Sequence, residues 1–298
     1  MKILVTGGAG FIGSNLALEL ERQGNEVIVM DNFFTGHREN LKGFKGKIIE
    51  ADVSQPFDFK EKISIIHHQA AITDPRYPND EETYSKNVSG FKNMVRLARK
   101  NNAKLIYASS ASMYGNGPAP QREEQEKDIL SAYAKSKLEM DRIAESLFNK
   151  MHIFGLRYFN VFGPHEQGKG RPASMIYHLS QQMKAGKRPR IFKMGQQKRD
   201  HIYVKDAVDA TINAQYANQS CVVNIGTGIG TAFNEVVEAL NEALGTSLEP
   251  EYFDNPYGNN YQNWTQADTS KCGKMMGWKA KWNFRDAVKD YMGELYGK

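Results

Sequence analysis

Only two cysteines occur in 298 residues, Cys221 and Cys272, far apart and in no metal-ligand spacing. That leaves no disulfide scaffold and no cysteine metal centre, and it reads as reduced thiols in a cytoplasmic protein. No apolar run approaches the roughly 20 residues needed to span a bilayer. The first apolar run breaks at Gly7 and lacks a small-residue cleavage site, so it does not read as a signal peptide. Internal repeats, low-complexity tracts and long linkers are also missing, and a hydrophobic content of 40% suits one large globular domain or two smaller, closely packed ones.

Net charge is modest at +5. The basic excess gathers between Lys184 and Lys205, where Lys187, Arg188, Arg190, Lys193, Lys198 and Arg199 lie. A nucleic-acid patch is one reading, but no recognised nucleic-acid motif and few interleaved aromatics accompany it. A solvated surface, with one or two residues reaching a small phosphorylated ligand, is the favoured reading.

The strongest signal is at the start. Ile3–Thr6 is a short strand-like run, followed by Gly7-Gly8-Ala9-Gly10-Phe11-Ile12-Gly13 and a helical pattern from Ser14 to Gln23. A second apolar run, Val27–Met30, ends on Asp31 with Asn32 beside it. Glycines let the turn tighten and the backbone approach a pyrophosphate, and Gly13 lets helix and strand pack closely. The helix start offers free N–H groups to phosphate, and Asp31 is placed to accept hydrogen bonds from an adenosine ribose. A lone Gly-x-Gly-x-x-Gly is weak evidence. Here the strand, turn, helix, strand and acid occur together, which points to a dinucleotide.

Further strands are expected at Lys47–Ala51, Ser64–His67, Lys104–Ala108 and Ile153–Arg157, with helices at Glu82–Lys100 and Ser131–Met151, the latter capped by Ser131. This alternation gives an α/β fold with a doubly wound parallel sheet. Residues 1–162 read as the dinucleotide-binding domain. After Gly163-Pro164 the elements shorten, and 163–298 reads mainly as a smaller α/β substrate lobe with helices Phe233–Leu244 and Phe284–Leu295. Val222–Ile225 is expected to return to the first domain as a buried strand.

Tyr133 and Lys137 stand four apart on a predicted helix, hence on one face. An ammonium beside a phenol favours phenolate and draws the tyrosine toward general acid–base work. Ser110 follows the strand Leu105–Ala108, at the end of a parallel strand where ligands bind, and can donate to a substrate oxygen as it becomes a carbonyl. Tyr-x-x-x-Lys arises by chance on a solvated surface, and Ser-Ser runs are common in loops. Fingerprint, serine and tyrosine–lysine pair in this order are far more specific together.

These motifs resemble the extended short-chain dehydrogenase/reductase superfamily, the nucleotide-sugar epimerases and dehydratases, across essentially the whole chain. The resemblance implies a Rossmann-type fold and a catalytic set of Ser110, Tyr133 and Lys137. It implies cofactor contacts from Gly7, Gly10, Phe11, Ile12 and Gly13, from Asp52 and Val53 near adenine, and from Gln69, Ala70 and Ala71 in the His68-Gln69-Ala70-Ala71 stretch. Asn87 would support the active-site lysine. Tyr158-Phe159-Asn160-Val161-Phe162-Gly163-Pro164 resembles the segment closing on nicotinamide and sugar, which implicates Tyr158, Val161 and Asn160. Arg199, in Arg199-Asp200-His201-Ile202-Tyr203-Val204, would bind substrate phosphate. Ser174, His178, Phe192 and Tyr261 are expected to contact substrate, and no metal is expected.

Two stretches narrow the resemblance. Gly163–Gly170 with Ala173-Ser174-Met175, and Tyr261-Gln262-Asn263-Trp264-Thr265-Gln266-Ala267-Asp268, look like the ADP-L-glycero-D-manno-heptose 6-epimerases, enzymes of lipopolysaccharide heptose supply. In that family a lysine at the position of Lys169 is a second acid/base opposite the tyrosine. If a keto intermediate turns over in the site, its oxygen meets a different proton donor, and two groups serve two orientations. On local sequence alone Lys169 is a loop lysine among glycines; its flanking residues favour the catalytic role.

Other features point elsewhere. His165 stands where that family usually has arginine. Asp31–Gly36 reads more like the NAD-using UDP-hexose 4-epimerases, and Ile72–Pro75 is not a close match to the heptose enzymes. A UDP-hexose 4-epimerase is therefore the alternative, and a catalytically inactive NAD(P)-sensing protein is disfavoured by the intact Ser110, Tyr133 and Lys137. Asp31 favours NAD, whereas His37, Arg38 and Lys42 downstream suit the 2′-phosphate of NADP, so both remain open. A homo-oligomer is expected, since the heptose enzymes are pentamers and the 4-epimerases dimers.

Overall fold

A computed structural model describes residues 1–256 and 262–297. Seven parallel strands form the central sheet: β1 (Lys2–Thr6), β2 (Glu26–Asp31), β3 (Lys47–Glu50), β4 (Ile65–His68), β5 (Lys104–Ser110), β6 (Ile153–Tyr158) and, much later in the chain, β11 (Cys221–Ile225). Their order across the sheet is β11-β6-β5-β4-β1-β2-β3. The direction of winding reverses at β1, which leaves a crevice at the carboxyl ends of β1 and β4.

Strands β1 and β2 read as nearly continuous apolar runs because both faces of the sheet are covered there, whereas β3 at the edge is largely exposed. Alternation of side chains sends Ile3, Val5, Val27 and Val29 into one core and Leu4, Ile28, Met30 and Ile66 into the other. Helices α1 (Phe11–Arg22) and α5 (Val204–Ala214) cover the first face. Helices α2 (Asp80–Asn101) and α3 (Ala132–Glu145) cover the second. Ser131 caps α3 by accepting from Ala134 N–H at 3.2 Å, as its position in the sequence predicts. Instead of continuing to Met151, the helix stops at Glu145, and Leu147, Phe148 and Met151 fold as turns onto the second core. Burial of those three side chains outweighs helix propagation in the approach to β6.

Short pieces build the substrate side. Strand β7 (Asn160–Phe162) pairs with β10 (His201–Tyr203), β8 (Arg190–Phe192) with β13 (Glu251–Phe253), and β9 (Lys198–Arg199) with β12 (Thr231–Ala232). Helices α4 (Met175–Lys184), α6 (Phe233–Leu244), α7 (Ser270–Met276) and α8 (Phe284–Tyr296) surround them. β11 joins β6 in register from Cys221 opposite Phe154 to Ile225 opposite Tyr158. One buried cluster runs from Ile3 and Val5 through α1 and α5 to Met292 in α8, across the Phe162–Gly163 junction. No helix among the described residues is long and apolar enough to cross a membrane.

Candidate active site

A cavity of about 750 Å³ opens at the crevice predicted by the winding of the sheet. At one end lie Gly7, Gly10, Phe11, Ile12 and Gly13, between β1 and the first turn of α1. A Cβ on Gly13 would stand 2.0 Å from the Gly7 carbonyl oxygen, so only glycine lets the helix start this close to the strand. Gly7 adopts φ +66, and a Cβ there would meet Ala70 N at 2.6 Å. The bare backbone and the unbonded amides of the first helical turn form a cradle for phosphates. Ser109 Oγ, also in the cavity wall, has no hydrogen-bond partner among the described residues.

Asp31 ends β2 and is 6% exposed. Its carboxylate accepts from Ala9 N–H at 2.9 Å and from Phe33 N–H at 2.8 Å, tying the acid to the glycine turn. Asn32, Asp52, Val53, Gln69, Ala70 and Ala71 complete this part of the wall, and Asp52 accepts from the Ser54 amide and hydroxyl. These features fit a dinucleotide cofactor. Two of the three cations proposed for a 2′-phosphate have other contacts: Arg38 lies 4.1 Å from the centroid of the Phe33 ring and pairs with Glu50 at 2.7 Å. His37 Nε2 lies 3.3 Å from the Gly168 carbonyl oxygen.

Ser110, Tyr133 and Lys137 meet in the middle of the cavity. Lys137 is 1% exposed and its Nζ donates to the Ala108 carbonyl at 2.7 Å, 5.7 Å from the centroid of the Tyr133 ring. The expected lowering of the phenol pKa by this lysine is not what the structure gives. Burial pushes Tyr133 upward, and only the Ser110 hydroxyl acts in the opposite sense. Burial likewise pulls Lys137 down to about 8, against the attraction of Asp141 one turn on. Asn87 does not bond the lysine either. Its amide holds both backbone groups of Ile72 and donates to Ser136 Oγ at 3.0 Å, so it fixes α3 one residue before Lys137.

Lys169 ends a short 3₁₀ turn, Gln167–Lys169, and reaches the same cavity. Burial lowers its pKa, partly opposed by Glu166 and Asp74. Glu166 is fully buried and accepts from Gly163 N–H, Ser174 N–H and Ser174 Oγ, which fixes both ends of this loop. The loop also rests on α1, through Ser14 Oγ and His165 Nδ1 at 2.8 Å and through Asn15 Nδ2 donating to the Pro164 carbonyl. His165, at φ +73, thus serves as a contact to the cofactor helix.

Tyr158, Asn160, Val161, Ser174, Phe192 and Arg199 also line the cavity. His178 does not. It lies on α4 outside the wall, with Nε2 3.2 Å from the Arg171 carbonyl oxygen, because the cavity-facing start of that helix is occupied by Ser174 and Met175. Tyr261 falls outside the described residues. The wall contains cations the motifs did not single out for it, Arg76 and Arg190. Arg190 lies 4.8 Å from the Phe253 ring centroid, and the Phe253 ring is 5.0 Å from that of Phe192. Helical spacing and capping do not mark such residues; they belong to short strands and loops.

Part of the basic cluster is paired with acids. Arg190 pairs with Glu251, Lys193 with Asp254, and Lys205 with Asp290 and Glu294, while Arg188 donates to backbone carbonyls. No group of three or more potential metal ligands occurs among the described residues.

The family description "NAD dependent epimerase/dehydratase family" matches residues 3–226, from the first strand of the sheet to the last. ADP-L-glycero-D-manno-heptose-6-epimerase of Brachyspira hyodysenteriae is 36% identical over 97% of this chain and 96% of its own. The crystal structure of the enzyme of that name from Helicobacter pylori superposes with a TM-score of 0.94, at 36% identity, over 100% of this chain and 96% of that one. UDP-N-acetylglucosamine 4-epimerase of Methanobrevibacter ruminantium, solved with UDP-N-acetylmuramic acid, gives a TM-score of 0.90 at 26% identity, over 99% and 98% of the two chains. The glycine cradle, the buried Asp31 and the tyrosine–lysine pair are thus found where sequence and structure agree with these enzymes along nearly their whole length, and the chain belongs to the NAD-dependent epimerase/dehydratase family.

Proposed function

We propose that this protein is a nucleotide-sugar epimerase that inverts C6 of an ADP-linked glycero-manno-heptose. The observation that carries the sugar assignment is Lys169: a second candidate acid/base group, carried on a different loop, lines the cavity that holds Tyr133. Identity of 36% to two ADP-heptose epimerases over nearly the full chain supports it.

Gly7, Gly10 and the first turn of α1 would hold the cofactor pyrophosphate, and Asp31 the adenosine ribose. NAD is the better fit, because Arg38 and His37 are turned to other partners. A bound nicotinamide would supply reversible hydride acceptance at the sugar carbon. Tyr133 Oη, once ionised in the substrate complex, would accept the proton of the sugar hydroxyl in one orientation of the sugar, and Ser110 Oγ would donate to the oxygen as it becomes a carbonyl. Lys169 Nζ moves the corresponding proton in the other orientation. Its lowered pKa suits that exchange, since an ordinary lysine holds its proton too tightly near neutrality. Arg199 holds the substrate diphosphate.

Incubation with ADP-D-glycero-D-manno-heptose and, separately, with UDP-galactose tests the assignment, with the product configuration read by NMR. Inversion at C6 of the first with no turnover of the second is the expected result. Efficient turnover of UDP-galactose alone would transfer the protein to the hexose 4-epimerases.

A further inference from the structure

Residues 264–268 have no part in the scheme above, yet hydrogen bonds hold them from two sides. On one side is Gln121, 1% exposed. Its backbone amide donates to the Gln266 carbonyl at 2.7 Å, its Oε1 accepts from Gln266 N–H at 2.7 Å, and its Nε2 donates to the Trp264 carbonyl at 3.2 Å. On the other side, Thr265 N–H donates to the Lys198 carbonyl at 3.1 Å and Ala267 N–H to Asp200 Oδ2 at 3.0 Å.

Between these fixed points the Thr265 side chain, in a residue 5% exposed, has two neighbours. Its Oγ1 accepts from Asp200 N–H at 3.4 Å and lies 2.9 Å from Asn160 Oδ1. A hydroxyl carries one proton, and the Asp200 amide can only donate, so that proton goes to Asn160 Oδ1. The Asn160 backbone is fixed as well, its N–H donating to the Asp200 carbonyl at 3.0 Å. Asn160 is exposed and lines the cavity, and its Nδ2 has no hydrogen-bond partner among the described residues. Either end of a free asparagine amide can face a ligand; here the threonine decides which one does. We infer that Thr265 is a positioning residue for substrate binding: its hydroxyl holds the Asn160 amide with Oδ1 toward Thr265 and Nδ2 toward the cavity, so that Asn160 presents a donor to an oxygen of the nucleotide sugar. The inference rests on the nucleotide-sugar reading above. Ring, glycosidic and diphosphate oxygens of such a ligand only accept, and an inverted amide would set Oδ1 against them unpaired.

The test is calorimetric titration of the holoenzyme with ADP-D-glycero-D-manno-heptose and with UDP-galactose, in wild type, Thr265→Val, Thr265→Ser, Asn160→Ala and the double variant Thr265→Val/Asn160→Ala. Thr265→Val keeps the shape and loses the proton, and should weaken the preferred nucleotide sugar about tenfold. Thr265→Ser should bind close to wild type. The double variant decides: once the amide is gone, loss of the hydroxyl should cost nothing further, so its affinity should match that of Asn160→Ala. A second full loss in that background would make Thr265 a packing residue and overturn the inference. So would wild-type affinity in Thr265→Val, or a Thr265→Ser as weak as Thr265→Val. If Thr265→Val does not fold, Thr265→Ala takes its place with the same expectations. A wild type that binds UDP-galactose alone overturns the ADP-heptose assignment, and the same variants then decide this inference with that ligand; one that binds neither sugar overturns both.

Discussion

Lys169 Nζ lies 5.3 Å from the centroid of the Phe11 ring, so the second candidate acid/base group is held over the first residue of the helix that follows the glycine turn. The loop that carries it is fastened to that helix through Ser14 and Asn15. Lys169→Met should therefore abolish ADP-heptose epimerisation while leaving cofactor affinity near wild type, because no phosphate or ribose contact is assigned to the ammonium. An assay of both epimerisation and cofactor titration decides it. Retention of most C6 inversion would remove the second base from the mechanism.

Tyr133→Phe deletes one hydroxyl at the point where Ser110 and Lys137 converge. The protein should fold and bind cofactor, and kcat should drop about a hundredfold to ten-thousandfold, the usual contribution of a positioned acid–base group. Steady-state kinetics with a circular dichroism control would show it, and a variant with near-normal kcat would place the chemistry elsewhere.

Asp31→Ala should weaken NAD more than NADP, narrowing the preference between them. The carboxylate bonds the Ala9 and Phe33 amides and faces the cavity, where it can accept from a ribose diol and repel a 2′-phosphate. Titration of apo-protein with each cofactor gives the ratio; an unchanged ratio means the acid only braces the turn.

Lys137 gives a stability that depends on pH. Its pKa in the fold is about 8, below the ordinary lysine value of 10.5. Between those values the unfolded chain holds a proton that the native protein has released, so raising pH through this window favours the native state. The penalty is complete below pH 8 and is relieved above it. Urea midpoints of wild type and Lys137→Met at pH 7.5 and 9.5 isolate the effect, with wild type gaining relative to the variant as pH rises. Parallel shifts in both proteins would mean that the lysine titrates normally.

The buried pair of Arg157 Nε and Asp141 Oδ2, 2.9 Å apart, ties β6 to α3 one turn after Lys137. Tyr107 and Tyr114 complete its hydrogen bonds. Asp141→Asn strands a buried guanidinium and should cost about 3–5 kcal/mol in urea unfolding. The double variant Asp141→Leu/Arg157→Met should recover a large part of that loss, and a single variant with wild-type stability would show the pair to be idle.

What could be read in advance follows from period and length. Ile3, Leu4, Val5 and their counterparts in the other sheet strands form continuous apolar runs because each face has its own core, and that signal needs no tertiary knowledge. The buried sheet strands are legible for this reason, α6 from its helical spacing and the glycine cradle from its motif. β9 and β12 are two residues each and carry no periodicity, so the substrate side was legible only as a change of grammar after Gly163. Where α3 ends was hidden by Leu147, Phe148 and Met151, whose apolar spacing continues the helical pattern while the backbone turns. Side-chain direction was hidden too: Tyr133 and Lys137 do share a face, yet the ammonium points to the Ala108 carbonyl.

The return of β11 to the edge of the sheet matters for a chain emerging from the ribosome. Until residues 221–225 are made, β6 is an open edge, with unpaired backbone groups along Phe154–Tyr158. Such an edge is a template for pairing with another nascent chain. A fragment cut at residue 162 keeps the whole nucleotide fingerprint but leaves this edge uncovered and removes α5 from the face of α1. Synthesis therefore has to run well into the sugar-facing segment before the nucleotide-facing sheet can close, and severing the two halves would favour aggregation over a free cofactor-binding module.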